Sequence, residues 1–284
     1  MTSKIEREFT DREREIALFV QMVHREISQR VLAIQAPGGI GKSWLIDRYE
    51  DLCRREHVPC VRLDFDAARE GEALSPEIIL EKAGEAMGLM PASDLETFAR
   101  LPKEMTGGPA SVDVASGSVI SGDARFGDIG NVIIKELHVS APNLDPKTRR
   151  HQATHRFRRA LAACGPQPAV WLVDTCEKAA ENPDTADWLS GAILGHVACE
   201  DALPLVIVLA GRYLPPIMPE WEDCIRRISL APFDEKQTHI LVCERIGLAL
   251  AAETVSFLHR VSGGVPQTMV GLVETYLRAQ EVAR

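Results

Sequence analysis

One stretch constrains this chain more than any other. The compact apolar run Val31-Leu32-Ala33-Ile34-Gln35-Ala36 passes directly into Pro37-Gly38-Gly39-Ile40-Gly41-Lys42-Ser43-Trp44, and beyond it Leu45, Ile46, Tyr49 and Leu52 recur at helical spacing. An apolar run that ends on Pro-Gly-Gly reads as a buried strand, and the spacing that follows predicts a helix over residues 42–55. A strand, a glycine-rich turn and a helix opening, in that order, aim a series of backbone N–H groups at one point. The dipole of the helix adds partial positive charge at the same place. Phosphoryl groups need several aligned donors at close range, and backbone N–H groups supply them without loss of side-chain entropy.

The run fits the P-loop pattern G-x-x-x-x-G-K-[ST], with Ala36 where the first glycine usually stands. Alanine serves there if the strand end keeps a negative φ. Pro37, Gly38, Gly39, Ile40, Gly41 and Trp44 would form the cradle, Lys42 would reach the β- and γ-phosphates, and the Ser43 hydroxyl would ligate magnesium. The ligand so implied is ATP or ADP with Mg2+. The tripeptide Gly-Lys-Ser is weak by itself; the strand before it and the helix behind it are the context the motif requires. A P-loop also calls for a second strand that carries an acid to the magnesium shell. Val170-Trp171-Leu172-Val173-Asp174 supplies one, with Asp174 at the carboxyl end, where open α/β sheets bind ligands.

Strand and helix patterns alternate through most of the 284 residues, which predicts a parallel sheet covered by helices on both faces. Further strands are expected over 59–65, 205–210 and 226–230, and helices over 12–24, 75–87, 147–164 and 186–197. Ser75-Pro76 reads as a capped helix start. Two or three helices should fill the chain from Asp234 onward, broken at Ser262-Gly263-Gly264-Val265-Pro266. We therefore expect a nucleotide-binding domain over 1–235 and a helical subdomain over 236–284. Between about 91 and 146 helical periodicity disappears, and two short β-like pieces, 118–121 and 131–134, are separated by glycines. That segment reads as an insertion that contains a small hairpin or forms a mobile or partner-contacting loop.

Net charge is −9, so the chain as a whole lacks the electrostatic footprint of a nucleic-acid binder. A local exception is the basic helix with Lys147, Arg149, Arg150, His151, His155, Arg156, Arg158 and Arg159 around the apolar stripe Ala153, Phe157, Ala160 and Leu161. Those residues read first as a solvated face, and otherwise as a nucleic-acid contact or an arginine finger for a neighbouring subunit. The seven cysteines are scattered without a C-x-x-C pair, and no apolar run approaches membrane-spanning length. The composition points to a cytoplasmic protein with reduced thiols.

Several segments together resemble the nucleotide-binding domain of the STAND signal-transduction ATPases, an AAA+-like branch of the P-loop proteins found in plant resistance proteins, apoptosome organisers and bacterial regulators and defence proteins. Phe9-Thr10-Asp11-Arg12-Glu13-Arg14-Glu15-Ile16 is similar to the "F-x-G-R-E-x-E-L" segment beside the adenine, with Asp11 in place of glycine. Residues 36–43 resemble "G-x-G-G-I-G-K-[ST]". Leu209-Ala210-Gly211-Arg212 resembles the sensor strand, and Gly263-Gly264-Val265-Pro266 the "G-G-x-P" turn. The resemblance implies a five-stranded parallel sheet of order 5-1-4-3-2 with a small helical lid. It also implies a γ-phosphate sensor at Arg212, and base contacts at Arg12 and Pro266. Thr175 follows Asp174 where a second acid often stands, so Glu177 of Asp174-Thr175-Cys176-Glu177 becomes the candidate base. The expected function is an ATP-driven switch that changes conformation, assembles with copies of itself, or engages a protein partner. The alternative is an interaction scaffold that holds nucleotide with little or no hydrolysis.

Overall fold

The computed structural model describes residues 12–66, 74–88, 145–163, 168–198 and 203–282. Phe9 and Asp11 of the N-terminal segment, and the β-like pieces of the expected insertion, lie outside the described residues. The elements run α1 (Glu13–Val23), β1 (Val31–Gln35), α2 (Lys42–Arg55), β2 (Cys60–Asp64), α3 (Pro76–Met87), α4 (Pro146–Ala163) and β3 (Ala169–Asp174). A 3-10 turn (Cys176–Glu181) leads to α5 (Pro183–Trp188), which continues through a π-helical stretch (Leu189–Leu194). Then come β4 (Leu205–Gly211), β5 (Ile225–Ser229), α6 (Glu235–His239) with its own π continuation (Ile240–Arg245), α7 (Ala252–Ser262) and α8 (Pro266–Val282).

All five strands are parallel, in the order β2-β3-β4-β1-β5. This is the order that the resemblance implied, read from the other edge. Every residue of β3 and β4 is buried, whereas the outer strands alternate or open to solvent on one side. That contrast follows from position: a central parallel strand has helices on both faces, and an edge strand does not. Successive side chains of one strand feed opposite cores. Val31, Ala33, Trp171, Val173, Ile207 and Leu209 pack with α3, α4 and α5. Leu32, Ile34, Val170, Leu172, Val206 and Val208 pack with α1 and α2. The result is a three-layer sandwich.

Local chemistry sets several element boundaries. Ser75 Oγ accepts from Ile78 N and Pro76 occupies the first turn, as the dipeptide predicts. The helix expected from residue 186 begins at Pro183, because Asn182 caps Thr185 N and proline suits the first helical position. Asp234 and Gln237 form a reciprocal capping box that opens α6. Beyond it, α6, α7 and α8 share a separate small core of Phe233, Leu241, Val242, Met269 and Val273. A tight crossing joins the start of that cluster to the turn between α7 and α8. Phe233 N donates to Gly264 O at 2.8 Å, and any Cβ at Gly264 would fall 2.2 Å from Phe233 O. Gly264 also has φ +72°, a conformation L side chains rarely adopt, so glycine is required there on two counts.

Candidate functional site

The site lies at the carboxyl ends of β1, β3 and β4, next to the point where the chain leaves β1 and crosses past β4 and β3 to reach β2. Crevices in open α/β sheets form at such reversals. β1 ends at Gln35, and the loop turns into α2 through two left-handed glycines, Gly39 at φ +78° and Gly41 at φ +99°. Gly41 is the N-cap of α2, no side chain caps the first turn, and no acidic residue lies in it. The first N–H groups of α2 therefore carry partial positive charge and face the loop without an internal acceptor. Ile40, like Ala36, is buried in the core and anchors the turn from below.

Lys42 Nζ donates to Ala36 O at 2.7 Å and to Pro37 O at 2.8 Å, so the ammonium is folded back across the loop it belongs to. Burial holds it below the usual lysine range, aided by Arg212 and opposed by Glu177 and Asp174. An incoming polyphosphate would offer this cation stronger acceptors than two carbonyls. Ser43 bonds the Asp174 carboxylate, which is buried at the end of β3. Asp174 Oδ1 accepts from Thr175 N at 2.9 Å and Oδ2 from Arg62 Nη2 at 3.1 Å. Burial raises the Asp174 carboxyl above the ordinary aspartate range, against the Ser43 hydrogen bond and the charge of Arg62. A serine hydroxyl and a buried carboxylate in mutual contact beside a phosphate cradle form a donor set suited to Mg2+.

Thr175 takes a left-handed conformation at φ +54°. This is an uncommon choice for a β-branched residue, and the turn sends Cys176 and Glu177 back toward β4. Glu177 Oε2 accepts from Arg212 N at 3.0 Å, and Glu177 Oε1 lies 3.7 Å from Arg212 Nε. Arg212 in turn reaches the loop: a Cβ on Gly38 would stand 3.2 Å from its Nη2. Gln35 Nε2 donates to Arg212 O at 3.1 Å and ties β1 to the same corner. Gly211 makes the arrangement possible, because a Cβ there would lie 2.6 Å from both Cys176 Sγ and Glu177 Oε2.

The first turn of α8 borders the other side. Gln267 N donates to Gly39 O at 3.2 Å, and a cleft of about 310 Å³ lies among Gly39, Gly41, Lys42, Ser43, Trp44, Pro266, Gln267 and Val270. The structure thus brings Lys42, Ser43, Trp44 and Pro266 around one cavity; Asp174, Glu177 and Arg212 do not line it and meet at the ends of β3 and β4, with Arg212 reaching the loop beside Gly38. Arg12 lies elsewhere. Its Nη2 donates to Ala231 O at 2.8 Å and its guanidinium sits 5.4 Å from the Phe233 ring centroid, where it fastens α1 to the segment after β5.

No protein-family model and no curated relative matches the sequence. Solved structures do. Cdc6p from Pyrobaculum aerophilum is similar over 98% of this chain and 64% of that one, with a TM-score of 0.57 at 10% identity. The Orc1 protein of Aeropyrum pernix, solved in complex with DNA, is similar over 100% of this chain and 67% of that one, with a TM-score of 0.55 at 12% identity. The chain has the three-layer α/β fold of the P-loop NTPases, with an all-parallel sheet of order 2-3-4-1-5. A STAND protein with a tetratricopeptide repeat sensor from Pyrococcus horikoshii is also similar, over 91% of this chain and 28% of that one, at 13% identity and a TM-score of 0.46. The chain spans roughly a quarter to two-thirds of the length of those chains.

Three residues of the site carry little signal in the sequence. Arg62 sits in an alternating edge strand, and a lone arginine in Cys60-Val61-Arg62-Leu63-Asp64 was the available signal. Gln267 directly follows the Gly263-Gly264-Val265-Pro266 turn. Gly211 left no signal beyond its place before Arg212, since its need arises from two side chains 35 and 34 positions away in the chain.

Proposed function

We propose that this chain is the nucleotide-binding module of a STAND-type switch. It would bind ATP or ADP with Mg2+ in the cleft between the P-loop and the lid. The backbone of residues 37–44 would cradle the phosphates. Lys42 would move from its two carbonyl acceptors onto phosphate oxygens. Ser43 and Asp174 would hold Mg2+, whose chemistry when bound is to neutralise charge on the phosphates. Arg212 would meet the terminal phosphate beside Gly38, and Pro266 with Trp44 would border the base. Arg12 would act on the nucleotide through the lid hinge at Phe233.

One observation carries the switch reading. The first turn of α8 rests on the loop itself through Gln267 N to Gly39 O, so a ligand seated in the loop and the position of the lid share the same contacts. Differential contact of a ligand with two lid positions is what a population shift requires. The proposed output is a change in conformation or assembly, in signalling or defence. Phe257, Val261 and Tyr276 are exposed apolar residues on the lid helices and suit a protein partner or a second copy.

A second reading is a scaffold that binds nucleotide and scarcely hydrolyses it. The favouring observation is that Glu177, the candidate base, already accepts the Arg212 backbone N–H and packs closely against Gly211. Calorimetric titration with Mg-ADP and Mg-ATP should show binding that Lys42→Ala abolishes; silence in folded, nucleotide-free protein would sink both readings. Phosphate release with enzyme in excess then separates them. A switch shows a slow turnover that Glu177→Gln lowers by about 10²-fold or more, whereas a scaffold shows none.

A further inference from the structure

Arg62 stands in the middle of β2, level with Leu172 of β3, and its side chain runs between the P-loop helix and the end of β3. Its Nη1 is bonded to Asp47 and lies 3.8 Å from Glu50 Oε2, while its Nη2 donates to Asp174 Oδ2 at 3.1 Å. Asp47 and Glu50 are three residues apart on α2 and share one face. The planar fork of arginine suits this geometry, since its nitrogens reach two anionic poles at once. One pole is the acidic face of α2 and the other is the carboxylate beside Ser43. The Asp174 side chain is only 3% exposed, so water is poorly placed to balance its charge, and Arg62 does so from within the protein.

We infer that Arg62 is a built-in counter-cation to the magnesium acid, which orients Asp174 through Oδ2 and sets how strongly the cleft takes up Mg2+. The inference rests on the nucleotide and magnesium reading of the cleft. Arg62 is a positioning residue, because it acts through Asp174. A carboxylate already balanced by a fixed guanidinium presents a weak potential to a free divalent ion. The ion then arrives with a polyphosphate that brings its own negative charge, so metal uptake becomes conditional on nucleotide. Asp47 and Glu50 tune the effect: the more they neutralise Arg62, the less it opposes the metal.

The test is the Mg2+ dependence of ADP binding to the full chain, measured by calorimetry at a series of Mg2+ concentrations. Arg62→Gln should lower the half-saturating Mg2+ concentration by about threefold to tenfold, the scale expected for removing one nearby positive charge. Arg62→Lys, which keeps the charge, should stay near the wild-type midpoint. Asp47→Asn should raise the midpoint by about twofold to threefold, since it leaves Arg62 less compensated. A merely structural role would not move these midpoints in opposite directions. An Arg62→Gln protein that binds ADP at the wild-type Mg2+ midpoint overturns the inference and leaves the nucleotide reading standing. If Arg62→Gln does not fold, Asp47→Asn decides alone, and a midpoint that is unchanged or lower overturns the inference. Wild-type protein that binds no ADP at any Mg2+ concentration overturns both.

Discussion

Gly211→Ala tests the geometry that joins Glu177, Cys176 and Arg212. Backbone strain does not enter, because Gly211 ends a regular strand; alanine there would even gain about 0.4–1 kcal/mol by restricting the unfolded chain. The cost is steric. The new methyl would stand 2.6 Å from Cys176 Sγ, 2.6 Å from Glu177 Oε2 and 2.8 Å from Tyr213 O, where ordinary contact begins at 3.4 Å. Cys176 is 2% exposed and has nowhere to retreat, whereas the Glu177 carboxylate can rotate outward if it gives up the Arg212 N–H. Overpacking of this kind costs about 1–3 kcal/mol, and the lost hydrogen bond adds about 0.5–1.5 kcal/mol. Net of the chain-entropy gain, the variant should be less stable by about 1–3 kcal/mol, read as a lower urea midpoint at unchanged slope. For a domain of this size that corresponds to a fall in Tm of roughly 2–4 °C per kcal/mol. Cys176→Ala removes one of the three clashing atoms. The double variant should therefore recover about 0.5–1 kcal/mol relative to the sum of the single changes. A Gly211→Ala protein within about 0.5 kcal/mol of wild type, or one that shows no coupling to Cys176, would refute the packing argument.

Two further outcomes follow from perturbed groups. Burial, with the charges of Glu177 and Asp174, pushes the Cys176 thiol up to about 12, so native protein at mildly alkaline pH should leave Cys176 unlabelled by iodoacetamide while denatured protein labels it. Mass spectrometry that finds Cys176 alkylated in the native state at the rate of an exposed thiol would show that the end of β4 opens. Arg150 donates to Glu77 Oε1 at 3.0 Å and is a main cause holding that carboxyl below its ordinary range, against the opposing effect of burial. A depressed carboxyl contributes stability above its unfolded pKa and loses it as pH falls through the folded one. The gap in urea midpoint between wild type and Arg150→Gln should thus be full near neutral pH and shrink below about pH 4.5. A gap that does not change with pH would mean that Arg150 acts by packing alone.

The main frame of this protein was legible in its residues because each part rests on local pattern. A continuous apolar run can be buried on both faces only in a central strand, which made β1, β3 and β4 readable, and Gly-Lys-Ser between strand and helix marked the loop. Ser75-Pro76 announced its helix for the same local reason. Other features were not readable because they depend on residues far apart in sequence. That Glu177 would bond the Arg212 backbone required β3 and β4 to lie side by side and Thr175 to turn left-handed. That Arg62 would meet Asp174 across 112 positions required β2 to pair with β3, and its contact with Asp47 and Glu50 required α2 to pack over both. Arg12 shows the same limit from the other side, since only the docking of α1 against the residues after β5 gave its guanidinium Ala231 and Phe233 as partners. Periodicity and turn chemistry are properties of neighbours in the chain. Which charges face one another in the cleft is a property of strand order and helix docking, and those were settled by burying two sheet faces at once.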